Sequence, residues 1–303
     1  MRNLARRSAL LVAFTFGIVG GGAAETLSAR ASGIKTLDVA EHFSISVSRV
    51  LLHGCYVSIG LGQEEIDFTL NEIASVDAGI LAMLEGDAEN TILPAKAISV
   101  RRALTRFEDS WANFSGFARV AVRGELPAPY LKSLHQHYAK ALADAEDVFK
   151  KAARVYSLHR VTPYQSGTMS NLTHIAAEGD LIAADHCLIA MNIDVDQAKD
   201  EIKVAKADLE RRLELAVTGS DMEKVQTAPI SVANELTCDQ VDFDVMRDYV
   251  EPVVNEGVVP TRDEVVELRA YVKDMETSAE AALQAAEAHL ADAPAPAPHC
   301  ALS

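Results

Sequence analysis

Several features that mark common classes of protein are scarce in this sequence of 303 residues. Basic residues are few: 28 Lys and Arg stand against 44 Asp and Glu, which gives a net charge of −16. Because so acidic a chain repels phosphate backbones, we expect no binding to nucleic acid. Four cysteines are too few for a disulfide scaffold, and no apolar run beyond residue 25 reaches the ~18 residues of a membrane span. We therefore expect a soluble, acidic protein, long enough for two domains.

Motifs of catalysis are also absent from the sequence. It contains no glycine-rich phosphate loop, no His-Glu-x-x-His zinc motif, no Gly-x-Ser-x-Gly elbow and no Cys-x-x-Cys pair. The acidic residues are interspersed with basic ones at helical spacing, as with Lys206 and Glu210. That pattern is typical of a solvated helix face. We predict no catalytic residues and no cofactor, and hence a protein that is not an enzyme.

The first residues have the order of charge and hydropathy of a secretory signal. Three arginines precede an apolar segment at residues 10–19, and glycines and alanines follow it. We predict a signal peptide over residues 1–24, with cleavage after Ala24 or alternatively after Ala31, and a periplasmic location. An uncleaved membrane anchor is the alternative. Two adjacent arginines leave both the general and the twin-arginine export route open.

Apolar residues recur every three or four positions through most of the chain, as one face of a helix requires. The first predicted helix spans residues 36–61, and glycines and prolines separate it and its successors. No stretch alternates with the period of a β-strand, so we predict an all-α protein. The apolar positions of the first four predicted helices are Phe43, Val47, Val50, Gly54, Val57 and Leu61; Ile66, Leu70, Ile73, Val76, Ile80 and Leu84; Leu104, Phe107, Trp111, Phe114 and Phe117; and Leu131, Leu134, Tyr138, Leu142, Ala145 and Val148.

The pattern of the first half repeats in the second half at an offset of 132 or 133 residues. Such a long period indicates a duplicated domain and not a solenoid, with two unrelated bundles as the alternative. We predict two tandem four-helix bundles, at residues 36–158 and 163–290, and a disordered proline-rich tail at 291–303. The matched pairs include Cys55 and Cys187, Gly86 and Gly219, Leu104 and Leu236, Trp111 and Phe243, and Tyr138 and Tyr271.

The repeated unit resembles the PilJ-type domain, the N-terminal sensing domain of the chemotaxis transducers of type IV pili. The resemblance implies a four-helix sensor fold and a signalling partner, for which a membrane-bound receptor or kinase is the candidate. It rests on the apolar stretches around the two cysteines at residues 54–61 and 186–193, the turns at 84–87 and 217–220, and the helices of Trp111 and Phe243.

A polar stripe lies beside the apolar seam of the first helix. His42, Ser46, Arg49 and His53 occur at positions i, i+4, i+7 and i+11, and so share one face. Domains of the PilJ type usually carry several arginines here, whereas this chain keeps Arg49 alone. If the helix packs against a partner or a second copy of the chain, the stripe is a candidate site for a small anion. A solvated helix face is the alternative.

The cysteines and histidines do not form a metal site at the spacing of one helix. His42 and Cys55 are 13 residues apart, which is roughly 20 Å along a helix, and His135 and His137 point to different faces. A site shared between both halves stays open, but we predict no metal ligands. The cysteines of the helical body are expected to be buried free thiols, and Cys187 with Cys238 is the pair to test for a disulfide.

These observations favour an exported sensory or ligand-binding module that acts through a partner, with a homo-oligomer also open. The alternative is a structural or envelope-interaction protein without a small ligand. The two hypotheses differ in what should surround Arg49. A cluster of buried polar groups there favours binding, and a fully apolar core favours a scaffold.

Overall fold

The computed structural model describes residues 29–123, 127–157, 162–290, 294 and 296–299. Over these residues the chain is all-helical, with eight α-helices and no strand, which confirms the prediction of an all-α protein. None of these helices is both long enough and apolar enough to cross a membrane. The predicted signal peptide, residues 1–24, and most of the predicted tail lie outside the described residues. The helices are α1 Ala29–Ser58, α2 Gln63–Glu85, α3 Ile98–Ala121, α4 Pro127–Ser157, α5 Pro163–Ala190, α6 Val195–Thr218, α7 Ile230–Glu251 and α8 Arg262–Leu290, and a π-helical turn, Pro252–Glu256, follows α7.

Local sequence explains where α1 ends and where α5 begins. The first helix begins before the predicted residue 36 and ends at Ser58, because Gly60 and Gly62 adopt positive φ of 86° and 93°. The fifth helix begins after Thr162, whose hydroxyl accepts a hydrogen bond from the Gln165 backbone while the Gln165 side chain accepts one from Thr162. This capping box, with proline in the first turn, fixes the start of the second half.

The helices of the two halves have the same neighbours. In the first half α1 packs against α2 and α4, and α3 packs against α4. In the second half α5 packs against α6 and α8, and α7 packs against α8. The halves meet mainly through their first helices, because α1 and α5 pack directly on each other. We call α1 and α5 the central helices, because other helices pack around most of the circumference of each.

Burial along the central helices follows from this arrangement. Residues 43–56 of α1 and 179–189 of α5 are buried without interruption. A helix with one apolar seam would expose residues in every turn. The apolar side chains of both halves accordingly form one continuous core. Some predicted core positions are only half-buried, and Leu70 is 37% exposed; Thr69 is fully buried in its place, with its hydroxyl bonded to the Glu65 carbonyl.

The same turn follows the second helix of each half. Gly86 and Gly219 have φ of 90° and 73°, and each precedes an isolated antiparallel bridge. A Cβ on Gly86 would lie 2.8 Å from Pro94, and one on Gly219 would lie 2.9 Å from Thr227. Both the backbone conformation and the close approach therefore require glycine at these positions.

The cysteine prediction is wrong in two respects. Cys55 and Cys187 form a disulfide with a Cα–Cα distance of 6.3 Å, so neither is a free thiol and Cys187 is not paired with Cys238. Cys238 is also disulfide-bonded. Cys187 and Cys238, the predicted pair, lie within one half, whereas the contact between α1 and α5 brings cysteines of different halves together.

Candidate functional site

The polar stripe of α1 faces α2 and α8. Ser46, Arg49 and His53 are buried, with exposures of 0%, 2% and 7%, and only His42 remains partly exposed. The alternative of a solvated face is therefore wrong for three of the four residues. Their partners are carboxylates: the Ser46 hydroxyl donates a 2.6 Å hydrogen bond to Glu72, and His42 lies 3.6 Å from the same carboxylate.

Arg49 lies among four carboxylates from three helices. Its Nη1 donates to Glu280 at 2.5 Å and lies 4.0 Å from Glu72, while its Nε lies 3.6 Å from Asp180 and 3.8 Å from Glu276. Burial alone would lower the pKa of the guanidinium, but the surrounding acids outweigh burial and raise the pKa. Arg49 is therefore a fixed positive charge whose counter-ions come from α2, α5 and α8.

His53 is held between two carboxylates one turn further along α1. Its Nδ1 contacts Glu65, and its Nε2 lies 3.1 Å from Glu276, while the ring stacks on Phe68 with centroids 3.9 Å apart. Burial would lower the pKa of His53, but its bonds to Glu276 and Glu65 raise the pKa to about 9. His53 is thus an imidazolium at neutral pH. Arg269 of α8 supplies a further cation to Glu65.

The pKa values of two acids of the cluster are shifted in opposite directions. Burial, reinforced by the charge of Glu276, raises the pKa of Asp180 well above its usual value. Burial acts in the same direction on Glu276, but the bond from His53 and the charges of His53 and Arg49 outweigh it and lower the pKa. We refer to the group as the interhelical charge cluster. Its members are Arg49, His53, Glu65, Glu72, Asp180, Arg269, Glu276 and Glu280.

The charges of this cluster disfavour the small anion expected from the sequence. Five carboxylates face three cations, and both Arg49 and His53 already contact carboxylates on α2 and α8. An added anion would meet more negative than positive charge at short range. The stripe residues do lie together in the structure, but they contact acids: Arg49 and His53 as counter-charges, and Ser46 through its hydroxyl.

A small cavity adjoins the cluster between α1, α2 and α8. Its volume is about 40 Å³, and its lining includes His53, Tyr56, Glu65 and Glu276. The buried hydroxyl of Tyr56 has no hydrogen-bond partner among the described residues. A cavity of this size and polarity suits a few water molecules or one small ion, and not an organic molecule.

The corresponding stripe of α5 faces other helices. His174 and Glu178 lie near Asp208 of α6, and Asp185 lies near His135 of α4 and Glu201 of α6. Sequence reasoning missed these groups because each combines residues of α5 with residues of another helix that are far away in the chain.

Comparison with known proteins adds no assignment to this geometry. A functional conclusion therefore depends on the charges and contacts described above. No protein-family model matches the chain, and no curated protein matches its sequence.

Proposed function

We propose that this chain is an exported sensory or ligand-binding module of the PilJ-like kind, built from two duplicated four-helix bundles, which acts through a partner protein. The observation that supports the proposal most is the interhelical charge cluster around Arg49. It lies where the two halves of the chain meet, so its charge state acts on the contact between them.

Buried charge is an unfavourable way to hold helices together. Removing charged groups from water costs several kcal/mol per ion, about as much as their attraction returns, and apolar side chains of similar volume often stabilise a fold better. A scaffold needs no such cluster. Arg49 is nonetheless 2% exposed among four carboxylates. Clusters of perturbed ionisable groups beside a cavity are typical of binding sites and switches.

The excess of carboxylates favours a small cation as the ligand of this cluster. Glu65 and Glu276 line the cavity together with the unpartnered hydroxyl of Tyr56. These oxygens are suitable ligands for a hydrated cation, whereas Arg49 is itself a cation whose Nη1 pairs with Glu280. A partner that detects the ligand would respond to changes in the packing of α1 against α8.

The duplicated-bundle arrangement is part of the proposal. Cys55 and Cys187 are equivalent positions of the proposed repeat and are bonded to each other. Equivalent positions meet in this way when two copies are related by a two-fold axis through their contact, as in a symmetric dimer. The matching neighbours of α1 and α5 support the same relationship.

A cation screen tests the proposal. We expect the melting temperature of the chain from residue 25 onward to rise by several degrees with one of Na⁺, K⁺, NH₄⁺, Mg²⁺ or Ca²⁺, relative to tetramethylammonium at equal ionic strength. Glu276→Gln should remove the rise. Glu267→Gln on the exposed face of the same helix is the matched control. If no cation acts on the wild type, or if it acts equally on Glu276→Gln, binding at this cluster is rejected.

A structural or envelope-interaction protein is the second candidate. It is favoured by the continuous core through both halves and by the disulfide between α1 and α5. On this hypothesis the charge cluster only fixes how the helices pair, and no cation of the screen raises the melting temperature through this cluster.

A further inference from the structure

Three side chains that commonly bind metal ions meet where α4, α5 and α6 pack together. His135 Nε2 lies 2.8 Å from Glu201 Oε2 and 3.5 Å from Asp185 Oδ1. All three donor atoms lie within 4.8 Å of one another. Bonds of about 2.0–2.1 Å to a tetrahedral ion would place neighbouring donors roughly 3.4 Å apart. The three atoms are thus within a small movement of that geometry.

The environment of Asp185 indicates that a cation binds at this position. Its side chain is fully buried, and neither carboxylate oxygen accepts a hydrogen bond from the described part of the chain. A buried carboxylate without donors is costly for a fold. A bound cation would remove that cost.

Neighbouring groups orient the other two ligands. Asp194 faces the Nδ1 side of the His135 ring at 3.5 Å and is itself held by Lys132 at 2.9 Å. Gln197 donates a 2.9 Å hydrogen bond to the outer oxygen of Glu201. A carboxylate on the far nitrogen of a histidine is the usual support of a metal-binding imidazole, because it directs the other nitrogen to the ion.

We infer that His135, Asp185 and Glu201 bind one divalent transition-metal ion. One imidazole nitrogen and two carboxylate oxygens suit Zn²⁺ and its first-row neighbours, whereas Ca²⁺ and Mg²⁺ favour oxygen ligands alone. The ion neutralises the two carboxylates. Glu201 is partly exposed, so the ion enters from its side, and water completes the coordination. This inference goes beyond the proposed function, since a scaffold can also hold a metal.

Other groups in the chain fit a metal less well. His174, Glu178 and Asp208 also lie close together, but both oxygens of Asp208 accept hydrogen bonds from Arg211 and Arg212, which already supply positive charge. At the positions related to Asp185, Glu201 and His135 by the repeat stand His53 and Thr69 of the first half and Leu268 of the second half, which do not form such a set.

Metal binding is tested on the tag-free chain from residue 25 onward after treatment with a chelator. Equilibrium dialysis with Zn²⁺ should show one tightly bound ion per chain, and Co²⁺ should give the absorption bands of a low-coordinate site. Glu201→Gln and His135→Gln should weaken Zn²⁺ binding by about 100-fold or more. His137→Gln should not change it, because that ring bonds to the Ser133 carbonyl on its own helix.

The variant Asp185→Asn tests whether Asp185 is a metal ligand or only a structural group. The metal-free variant should fold with a melting temperature equal to or above that of the metal-free wild type, because the amide carries no buried charge. Zn²⁺ should no longer raise its melting temperature. The inference is overturned if the folded wild type takes up no Zn²⁺, if Asp185→Asn and Glu201→Gln bind it normally, or if only His174→Gln removes binding.

Discussion

Cys55 of α1 and Cys187 of α5 are joined by a disulfide across 132 residues, near the C-terminal end of each helix, where the two halves are in contact. The two halves thus meet through the first helix of each. The interhelical charge cluster lies beside this contact, because Arg49 of α1 reaches Asp180 of α5 as well as α8. The bond therefore limits how far α1 and α5 can separate when the cluster changes its charge or its ligand.

Disulfide mapping provides the first prediction. A digest of the oxidised protein without reductant should contain Cys55 and Cys187 in one linked peptide, which reduction separates. Replacing both with alanine should lower the free energy of unfolding by about 2–5 kcal/mol, because the bond closes a long loop in the unfolded chain. Denaturation under reducing conditions is the matched control, since it should abolish the difference. A peptide linking Cys187 to Cys238 would contradict the structure.

The regular spacing of apolar residues made the helices and their buried faces predictable from the sequence. The spacing of Phe107, Trp111 and Phe114 on α3 predicts a buried face, and all three are buried. The spacing of residues along α1, by contrast, does not reveal which helices cover its other faces. That depends on contacts such as Arg49 with Glu280, which are 231 residues apart.

The candidate site was predictable in part for the same reason. The stripe of α1 was visible because its four residues share one helical face. Glu276 and Glu280 have the spacing of ordinary surface acids, and nothing in their sequence shows that they face Arg49. His135, Asp185 and Glu201 come from three helices, so no motif connects them.

The charge of His53 predicts a fall in stability at alkaline pH. Its pKa is raised from 6.5 to about 9 by Glu276 and Glu65. The resulting stabilisation is complete below pH 6.5 and is lost as the pH rises through 9, and it amounts to roughly 3 kcal/mol. Urea denaturation between pH 6 and 10 should show this decline. His53→Gln should lower stability at pH 6.5 and flatten the profile, and His137→Gln should not. An unchanged slope in His53→Gln would reject the assignment.

Arg49 should be important for stability, because its removal leaves buried acids without a counter-charge. Arg49→Leu introduces the residue found at the equivalent position of the second half, Leu181. We expect it to lower the free energy of unfolding at pH 7 by about 3–5 kcal/mol. The loss should shrink toward pH 5 as the acids take up protons. Arg106→Leu removes an exposed ion pair with Asp147 and should cost about 1 kcal/mol or less. Equal effects of the two substitutions would show that the buried cluster has no special role.

Export should leave the whole of α1 in the mature protein. Cleavage after Ala24 precedes the start of the helix at Ala29, whereas cleavage after Ala31 removes its first residues. Ser32 and Thr36 are buried, and the Thr36 hydroxyl bonds to the Ser32 carbonyl at 2.7 Å. Mass spectrometry of a periplasmic extract should find a start at Glu25, with Ser32 as the second expectation. Full-length protein found only in the inner membrane would favour the anchored alternative.

The separate halves test whether each bundle is a folding unit. Polypeptides 32–158 and 160–293 should each be helical by circular dichroism and melt cooperatively, since each is long enough to bury a core. Both should be less stable than the whole chain, because residues 43–56 of α1 and 179–189 of α5 lose the cover that the other half provides.

We expect the separate first half to dimerise through the side of α1 that α5 covers in the whole chain, with Cys55 near its counterpart in the second copy. Light scattering measures the mass of the particle in solution and so detects the dimer. Mixing the halves should restore the missing stability. If either half is a random coil while the whole chain is helical, the core forms only between the halves and the two-domain prediction is wrong.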